Sequence, residues 1–496
     1  MPKQTKPAAE TELPQAEQLS LPEEFYREFD THCLLPRREK ACLWADFEAA
    51  FKWYSNHGVP QEEILRRLDT AHLGSFYAHP PILWFPLDSA AKIYPIAMEH
   101  GRMTLFRLSV CLKSEVVPEL LQMALTFTIK RFPSFATTLK KGFFWHYLDT
   151  AKRRFCIEEE RHIPCQALKV SRSGSQTFRV LYFQNRISVE FFHVLTDGTG
   201  GMNFLKALTS EYLRLTGVED TPDAPGWDVR VIPHAEEFVN EFPRHAPRQA
   251  ASGFTGKPAV QMSGRLSRQK PCRVLHFKMN AAALKAAAVE RGGTVTEYLL
   301  ALTFCAAWAA TDERKGELNI QLPVNMRQFY PSRTVRNFSM YCGIRMPLDA
   351  AFEVSELIPA ISEQMQKKTA KDAMDEMLTA TVRLVDMLKY IPLVLKQPAA
   401  KLVYGFLGDN LFTTTLSNLG VVTMPDAWAQ QIESMDFVLG TAITNRASCA
   451  LVTFGDTATL SITKMTADPT FEEHLYRLLT AEGIAARVEG SELYED

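Results

Sequence analysis

Between Arg186 and Leu215 the hydrophobic pattern changes period twice, and few folds accommodate such a change. Ile187, Val189 and Phe191 alternate with Ser188, Glu190 and Phe192, the two-residue period of a strand. Phe178 to Phe183 reads as its hairpin partner across Gln184, Asn185 and Arg186. His193 falls in phase with the apolar face, at the strand's end. Asp197, Gly198, Gly200 and Gly201 then break the pattern, and Leu205, Leu208, Tyr212 and Leu215 resume at helical spacing. A histidine therefore stands where a buried strand empties into a glycine-rich loop and a helix. A strand end holds an imidazole in place, and a loop without bulky side chains lets a second molecule approach it. A nearby helix N-terminus would disfavour the imidazolium and keep the ring able to accept a proton. The competing reading is a satisfied core histidine followed by a helix-capping aspartate.

The rest of the chain bounds what that histidine can serve. At 496 residues it exceeds a single hydrophobic core, so two units of roughly 200 residues plus extensions are expected. A formal charge of -2, with no concentrated basic block, argues against a nucleic-acid binder. Cysteines are scattered without a Cys-x-x-Cys pair and their number, nine, is odd; reduced thiols and no metal site are expected. No signal-peptide core precedes residue 21, and no run approaches the roughly 18 apolar residues of a membrane span. The expectation is a cytoplasmic protein without a transmembrane segment.

In chain order, residues 1–80 read as a polar tail, over 1–20, and a helical extension anchored by Phe47, Phe51 and Trp53. Residues 81–220 form a first lobe: a strand at 104–112, a helix at 117–131, an Arg-Phe-Pro turn and a second strand at 143–148. Residues 221–270, rich in proline and glycine, read as a linker. Residues 271–496 repeat the alternation, with strands at 273–279, 320–326, 435–438, 449–454 and 458–463. Helices are expected at 280–290, at 296–310 with Thr294 as its N-cap, at 357–368, at 373–395 with an end near Ile391-Pro392, and at 471–480. Near the end of the 373–395 stretch, Lys389, Lys396 and Lys401 lie beside Leu393, Val394, Leu395 and Leu402. These read first as core packing and second as a surface facing lipid or an apolar substrate.

The pattern His193-x-x-x-Asp197-Gly198 resembles the signature of the CoA-dependent acyltransferase superfamily. That group holds chloramphenicol acetyltransferase, peptide-synthetase condensation domains, plant acyltransferases and alcohol acetyltransferases. The resemblance implies an α/β fold of two chloramphenicol acetyltransferase-like lobes, each a mixed sheet covered by helices, with an active-site tunnel between them. It implies that Arg327, after the strand at 320–326, holds Asp197 as a structural brace, and that Gly198 keeps the loop open beside His193. The segment Thr413 to Gly420 resembles one in wax-ester-type and alcohol acetyltransferase relatives. Ser417 and Asn418 there either donate to the substrate or thioester oxygen, or shape a turn ending a strand. Phe192 occupies the place where chloramphenicol acetyltransferase and condensation domains usually carry another histidine, which moves the match toward the alcohol acetyltransferase branch. The implied activity is acyl transfer from acyl-CoA, as co-substrate, to an alcohol or amine, with His193 as general base and no bound cofactor. The rivals are a stand-alone condensation enzyme using a carrier-protein thioester and a non-catalytic binding protein of the same fold. No Gly-x-Ser-x-Gly elbow supports a hydrolase.

Overall fold

Two apolar cores organise the chain, each built on one large sheet. The computed structural model describes residues 20–78, 83–97, 103–151, 153–171, 174–219, 221–247, 256–348, 352–396, 409–442 and 444–494. Most of the expected tail, and Lys401 and Leu402, lie outside them.

The first core lies under a five-stranded sheet ordered Ile432–Leu439, Leu105–Leu112, Arg186–Phe192, Phe178–Phe183 and Ile157–Glu159. Helices Pro118–Thr128 and Gly198–Thr216 cover its apolar face. The hairpin read between residues 178 and 192 is present, with Val180 opposite Val189 and Phe183 opposite Arg186. Both faces of Arg186–Phe192 are buried, but the apolar side chains alternate: slipping the register by one residue would turn Ile187, Val189 and Phe191 away from the helices and Glu190 toward them.

The edge strand of this sheet comes from far along the chain. Ile432–Leu439 pairs antiparallel with Leu105–Leu112, placing Phe437 opposite Leu108 and Met435 opposite Val110. The second half of the chain thus contributes a strand to the first half's sheet. Sequence patterning identifies a strand near 435–438 but carries no information on which sheet it joins.

The second core lies under a seven-stranded sheet ordered Ser339–Pro347, Glu317–Asn325, Thr414–Val422, Ala447–Phe454, Thr457–Lys464, Arg273–Asn280 and Ala486–Gly490. Two of its pairings, those on either side of Thr414–Val422, are parallel, so the sheet is mixed. Helix Val295–Ala309 is buried along most of its length against it and opens with a Thr294–Glu297 capping box, as Thr294 led us to expect.

The N-terminal extension packs into the first core. Helices Glu23–His32 and Arg37–Asn56 bury Phe25, Phe29, Phe47, Phe51 and Tyr54 in the same cluster as Phe127 and Leu215. The Tyr54 hydroxyl donates to Leu215 O at 2.6 Å, and Arg67 Nη1 donates to the same oxygen at 3.0 Å. The extension therefore caps the C-terminal end of helix Gly198–Thr216, where carbonyls have no partner within the helix.

Two expectations need correction. The apolar run 143–148 is the tip and second arm of a hairpin: strands Thr137–Lys141 and His146–Thr150 pair across a turn that leaves Phe143 and Phe144 exposed. Gly142 closes that turn, its N–H donating to Trp145 O at 3.1 Å. The helical stretch expected over 373–395, with an end near Ile391-Pro392, is helix Lys371–Leu388 followed, after a break at 389–392, by helical residues 393–396. A residue preceding proline is driven out of the helical region, so the chain leaves the helix ahead of Pro392 and re-enters it beyond. Beyond it only Leu393 is buried core; Val394 and Leu395 face outward.

Candidate functional site

His193 follows the last residue of strand Arg186–Phe192, and the ladder continues beneath it. Phe192 N–H bonds Thr177 O at 2.8 Å and His193 N–H bonds Thr104 O at 2.9 Å. The backbone carrying the imidazole is thus held from both sides. Two rings flank the side chain: Phe106, with centroids 5.2 Å apart at 62°, and Tyr94, at 5.1 Å and 33°.

Contacts from the second half of the chain complete the surroundings. Asn337 Nδ2 lies 3.1 Å from His193 Nδ1 and 3.3 Å from the His193 carbonyl oxygen. The Asn337 oxygen accepts from Ser339 Oγ at 3.0 Å, so its amide nitrogen faces the histidine and donates to the His193 carbonyl oxygen. That nitrogen can also bond Nδ1 only when Nδ1 is unprotonated and the ring proton lies on Nε2. The ring is also bonded to its own main-chain carbonyl. Nδ1 is engaged within the protein, whereas Nε2 has no hydrogen-bond partner among the described residues and is not sealed in. That nitrogen is the one available to another molecule.

Burial of the ring pushes the His193 pKa below its ordinary value, and the Asp197 charge and the bond to its own carbonyl oppose this only in part. The neutral imidazole is favoured, in the direction expected from the sequence, but desolvation is the main cause. Burial moves the Tyr94 phenol the other way, up to about 12, although a bond from Asn337 lowers it. Tyr94 therefore stays neutral, and His193 is the group at this point able to take a proton near neutrality.

Asp197 is at once helix cap and brace. Its Oδ1 accepts from Gly200 N–H at 3.0 Å as the N-cap of helix Gly198–Thr216. Its Oδ2 accepts from Arg327 Nη1 at 2.7 Å and from the Phe338 N–H at 2.8 Å. The carboxylate is buried, with every contact directed at holding the bend after His193.

Arg327 lies in the turn Met326–Gln328 that follows strand Glu317–Asn325. Contact with Asp197 runs through one guanidinium nitrogen only. Nε and Nη2 donate to Thr334 O at 3.1 and 2.8 Å, and Nη2 also reaches Arg336 O at 2.7 Å. The arginine is spent on shaping the 334–336 loop as well as on bracing Asp197.

Among the motif glycines, close approach falls mainly on Gly200. A Cβ there would stand 2.0 Å from Val335 O and 2.3 Å from Thr196 Oγ1. These two atoms are themselves bonded, Thr196 Oγ1 donating to Val335 O at 2.6 Å. Here the halves of the chain meet backbone to backbone. A Cβ on Gly198 would meet the end of the Leu419 side chain, 2.5 Å away at Cδ2. The space beside Gly198 is filled by Leu419 of the opposing strand.

Leu419 follows the Ser417–Asn418 pair, and the structure separates the roles of the two. Asn418 is consumed locally: its oxygen accepts from Gly420 N–H at 2.8 Å and its amide donates to Thr296 Oγ1 at 3.0 Å. It shapes the irregularity between Asn418 and Val421, where Gly420 has φ +74°. The Ser417 side chain is buried, and its hydroxyl has no hydrogen-bond partner among the described residues.

The structure thus brings together His193, Asp197, Gly198 and Arg327. Sequence reasoning did not single out Asn337 as a partner of the ring, nor Tyr94, Phe106 or Gly200. Nothing local in the sequence points Asn337 at the ring. Among the described residues no group of three His, Cys, Asp or Glu side chains is placed to hold a metal ion, and no helix is long and apolar enough to cross a membrane.

No family model matches this sequence, and no curated protein matches it. Solved structures do. The chain is similar to the trichothecene 15-O-acetyltransferase of Fusarium sporotrichioides, with a TM-score of 0.54 and 11% identity over 81% of this chain and 95% of that one. Polyketide synthase associated protein 5 of Mycobacterium tuberculosis matches at 0.53 and 13% identity, over 80% and 98%. The condensation domain of the monacolin K polyketide synthase matches at 0.51 and 11%, over 81% and 98%. The chain has the mixed α/β fold of these acetyltransferase and condensation-domain structures.

Proposed function

We propose that this protein is an acyltransferase that moves an acyl group, an acetyl group being one candidate, from acyl-CoA to an alcohol or amine, with His193 as general base. The observation that carries this reading is a neutral-leaning imidazole, bonded within the protein through Nδ1 and free at Nε2, at the seam between the two halves of a chain with the acyltransferase fold.

For Nε2 to act as base the ring proton must lie on Nδ1, turned to the His193 carbonyl, with Asn337 Nδ2 bonded to that carbonyl oxygen and not to Nδ1. In the proposed reaction Nε2 then takes the proton of the acceptor O–H or N–H as the acceptor atom attacks the thioester carbonyl. The tetrahedral intermediate collapses with cleavage of the C–S bond, and the proton held on Nε2 passes to the leaving thiolate. Acyl group, proton and thiol balance without an enzyme-bound intermediate or a resident cofactor. General-base assistance of this kind is worth about a hundred- to ten-thousandfold, and holding both substrates together supplies much of the rest. Asp197 and Arg327 act by fixing the bend that aims the ring. The unpartnered Ser417 hydroxyl is the candidate donor to the thioester oxygen, a role for which Asn418, already committed to Gly420 and Thr296, is unsuited.

The experiment is a screen of acyl-CoA and acylated carrier-protein donors against alcohols and amines, following thiol release. Turnover with acyl-CoA that vanishes in His193→Ala, with the fold retained, is the expected result. Turnover that survives this substitution removes the mechanism, and reaction with carrier-bound donors alone replaces the CoA-dependent reading with a condensation-type enzyme.

A further inference from the structure

One face of the molecule presents large apolar side chains that nothing among the described residues covers. Phe143 is 72% exposed at the tip of the hairpin between Thr137–Lys141 and His146–Thr150, and Met387 and Tyr390 at the end of helix Lys371–Leu388 are 72% and 77% exposed. Val394 and Leu395 follow at 66% and 61%. The two segments join into one platform: Leu393 N–H donates to Phe143 O at 2.8 Å, and Lys396 Nζ donates to Phe144 O at 2.6 Å while lying 3.3 Å from the Trp145 ring centre. The first-half hairpin and the second-half helix end thus make a single surface.

Its exposed cations are Lys141 and Lys389, Lys389 lying over the Tyr390 ring; Lys92, half-buried, and Lys396, buried, flank Trp145 from within. The acids nearby are Asp386, exposed on the helix, Asp149, already paired with Lys140, and Asp88, buried beside Lys92. Protruding aromatic and aliphatic side chains flanked by the exposed Lys141 and Lys389 match the boundary between anionic headgroups and acyl chains, where apolar groups insert and ammonium groups meet phosphate. A protein partner would require shape and hydrogen-bond complementarity; this platform offers protruding side chains and cations.

A short stretch of chain links the platform to the site: Lys92 Nζ lies 5.4 Å over the Trp145 ring, and Tyr94, two residues on, flanks His193 at 5.1 Å. We propose that this face docks the protein on an anionic lipid surface, so that an amphiphilic substrate reaches the seam beside His193 without crossing water. Docking itself does not depend on the acyl-transfer reading, and its test does not use turnover.

The test is flotation of the full-length protein with vesicles of phosphatidylcholine alone and of phosphatidylcholine with about a third phosphatidylglycerol. The parent should float with the anionic vesicles and far less with the neutral ones. Tyr390→Ser combined with Leu395→Ser should weaken binding about tenfold or more, since these side chains supply inserted apolar area. Lys389→Glu should weaken binding to the anionic vesicles only. Val289→Ser, which removes an equally exposed apolar side chain from helix Ala281–Glu290, should change nothing. Unchanged thermal unfolding would show that the exposed substitutions leave the fold intact. Failure of the parent to float with either vesicle overturns the proposal, as does equal flotation of parent and double variant. So does a self-associated parent that the double variant converts to a monomer, because the face would then be covered by a second copy.

Discussion

The contact between Gly200 and Val335 lets a single methyl group test the seam between the two halves. In Gly200→Ala the new Cβ would start 2.0 Å from Val335 O. Ordinary non-bonded contact is about 3.5 Å, so the backbones must part by roughly 1.5 Å. No flexible side chain can absorb this, because the obstructing atom is a main-chain carbonyl. Parting breaks the Thr196 Oγ1 to Val335 O bond and strains the Val335 N–H bond to Glu237 O at 2.9 Å. Overpacking at the upper end of its usual range, about 3 kcal/mol, plus about 1 kcal/mol for the hydrogen bond gives a cost of about 4 kcal/mol. With about 2.1 cal/mol/K of unfolding entropy per residue, this is a fall of about 4 °C if the whole chain melts as one unit. It is about 10 °C if a unit of roughly 200 residues melts alone.

Gly198→Ala provides the contrast, since its Cβ meets the rotatable end of Leu419 and costs about 1 kcal/mol. Trimming that side chain in Gly198→Ala, Leu419→Ala should relieve the clash. Scanning fluorimetry and urea unfolding of the variants provide the measurement. Parent-like stability in Gly200→Ala, or a larger loss in Gly198→Ala than in Gly200→Ala, would refute the claim that backbone contact at residue 200 sets the spacing of the halves.

Other consequences follow from the same contacts. Arg327→Lys keeps the charge but cannot serve Asp197, Thr334 and Arg336 at once; it should lose about 2 to 3 kcal/mol in urea unfolding and most of the turnover, and a neutral outcome would show the guanidinium fork to be dispensable. Because burial lowers the His193 pKa, the acid limb of kcat/KM should fall below the ordinary histidine value of about 6.5; a limb at or above it contradicts the assignment. The unfolded chain protonates His193 near about 6.5 and the folded chain only at lower pH, so the stability linked to its neutral burial is complete above that window and is lost as pH falls. Comparing urea midpoints of the parent and His193→Gln across that range isolates the effect. Tyr54→Phe should cost about 1 kcal/mol, as Arg67 still serves Leu215 O, and adding Arg67→Ala should raise the loss to about 2 to 3 kcal/mol if the extension holds the end of the motif helix.

Sequence alone determined the local elements around His193: a strand of period two, a break at Asp197 and the glycines, and a helix of period 3.6 through Leu215. Each depends on the side-chain spacing of one segment, and burial against any apolar partner enforces it. Thr294 as a helix cap and the aromatic packing of the extension were legible for the same reason. Where local reading was inexact, at Phe143 to Leu148 and between Leu388 and Leu393, an apolar run had either a hairpin tip or a break ahead of Pro392 whose extent periodicity does not register.

Only the tertiary structure decided which distant segments meet. Strand Ile432–Leu439 crosses to the first half's sheet, and Asn337 reaches His193 from 144 positions away. Whether Ser417 or Asn418 keeps a free polar group also depended on neighbours, Thr296 and Gly420, that spacing along one strand does not reveal. Hydrophobic patterning tells each face to be covered without naming its cover, because apolar burial is non-directional; the close approach at Gly200 and the carboxylate held by Arg327 specify the partner through contacts that exist only once both halves have folded.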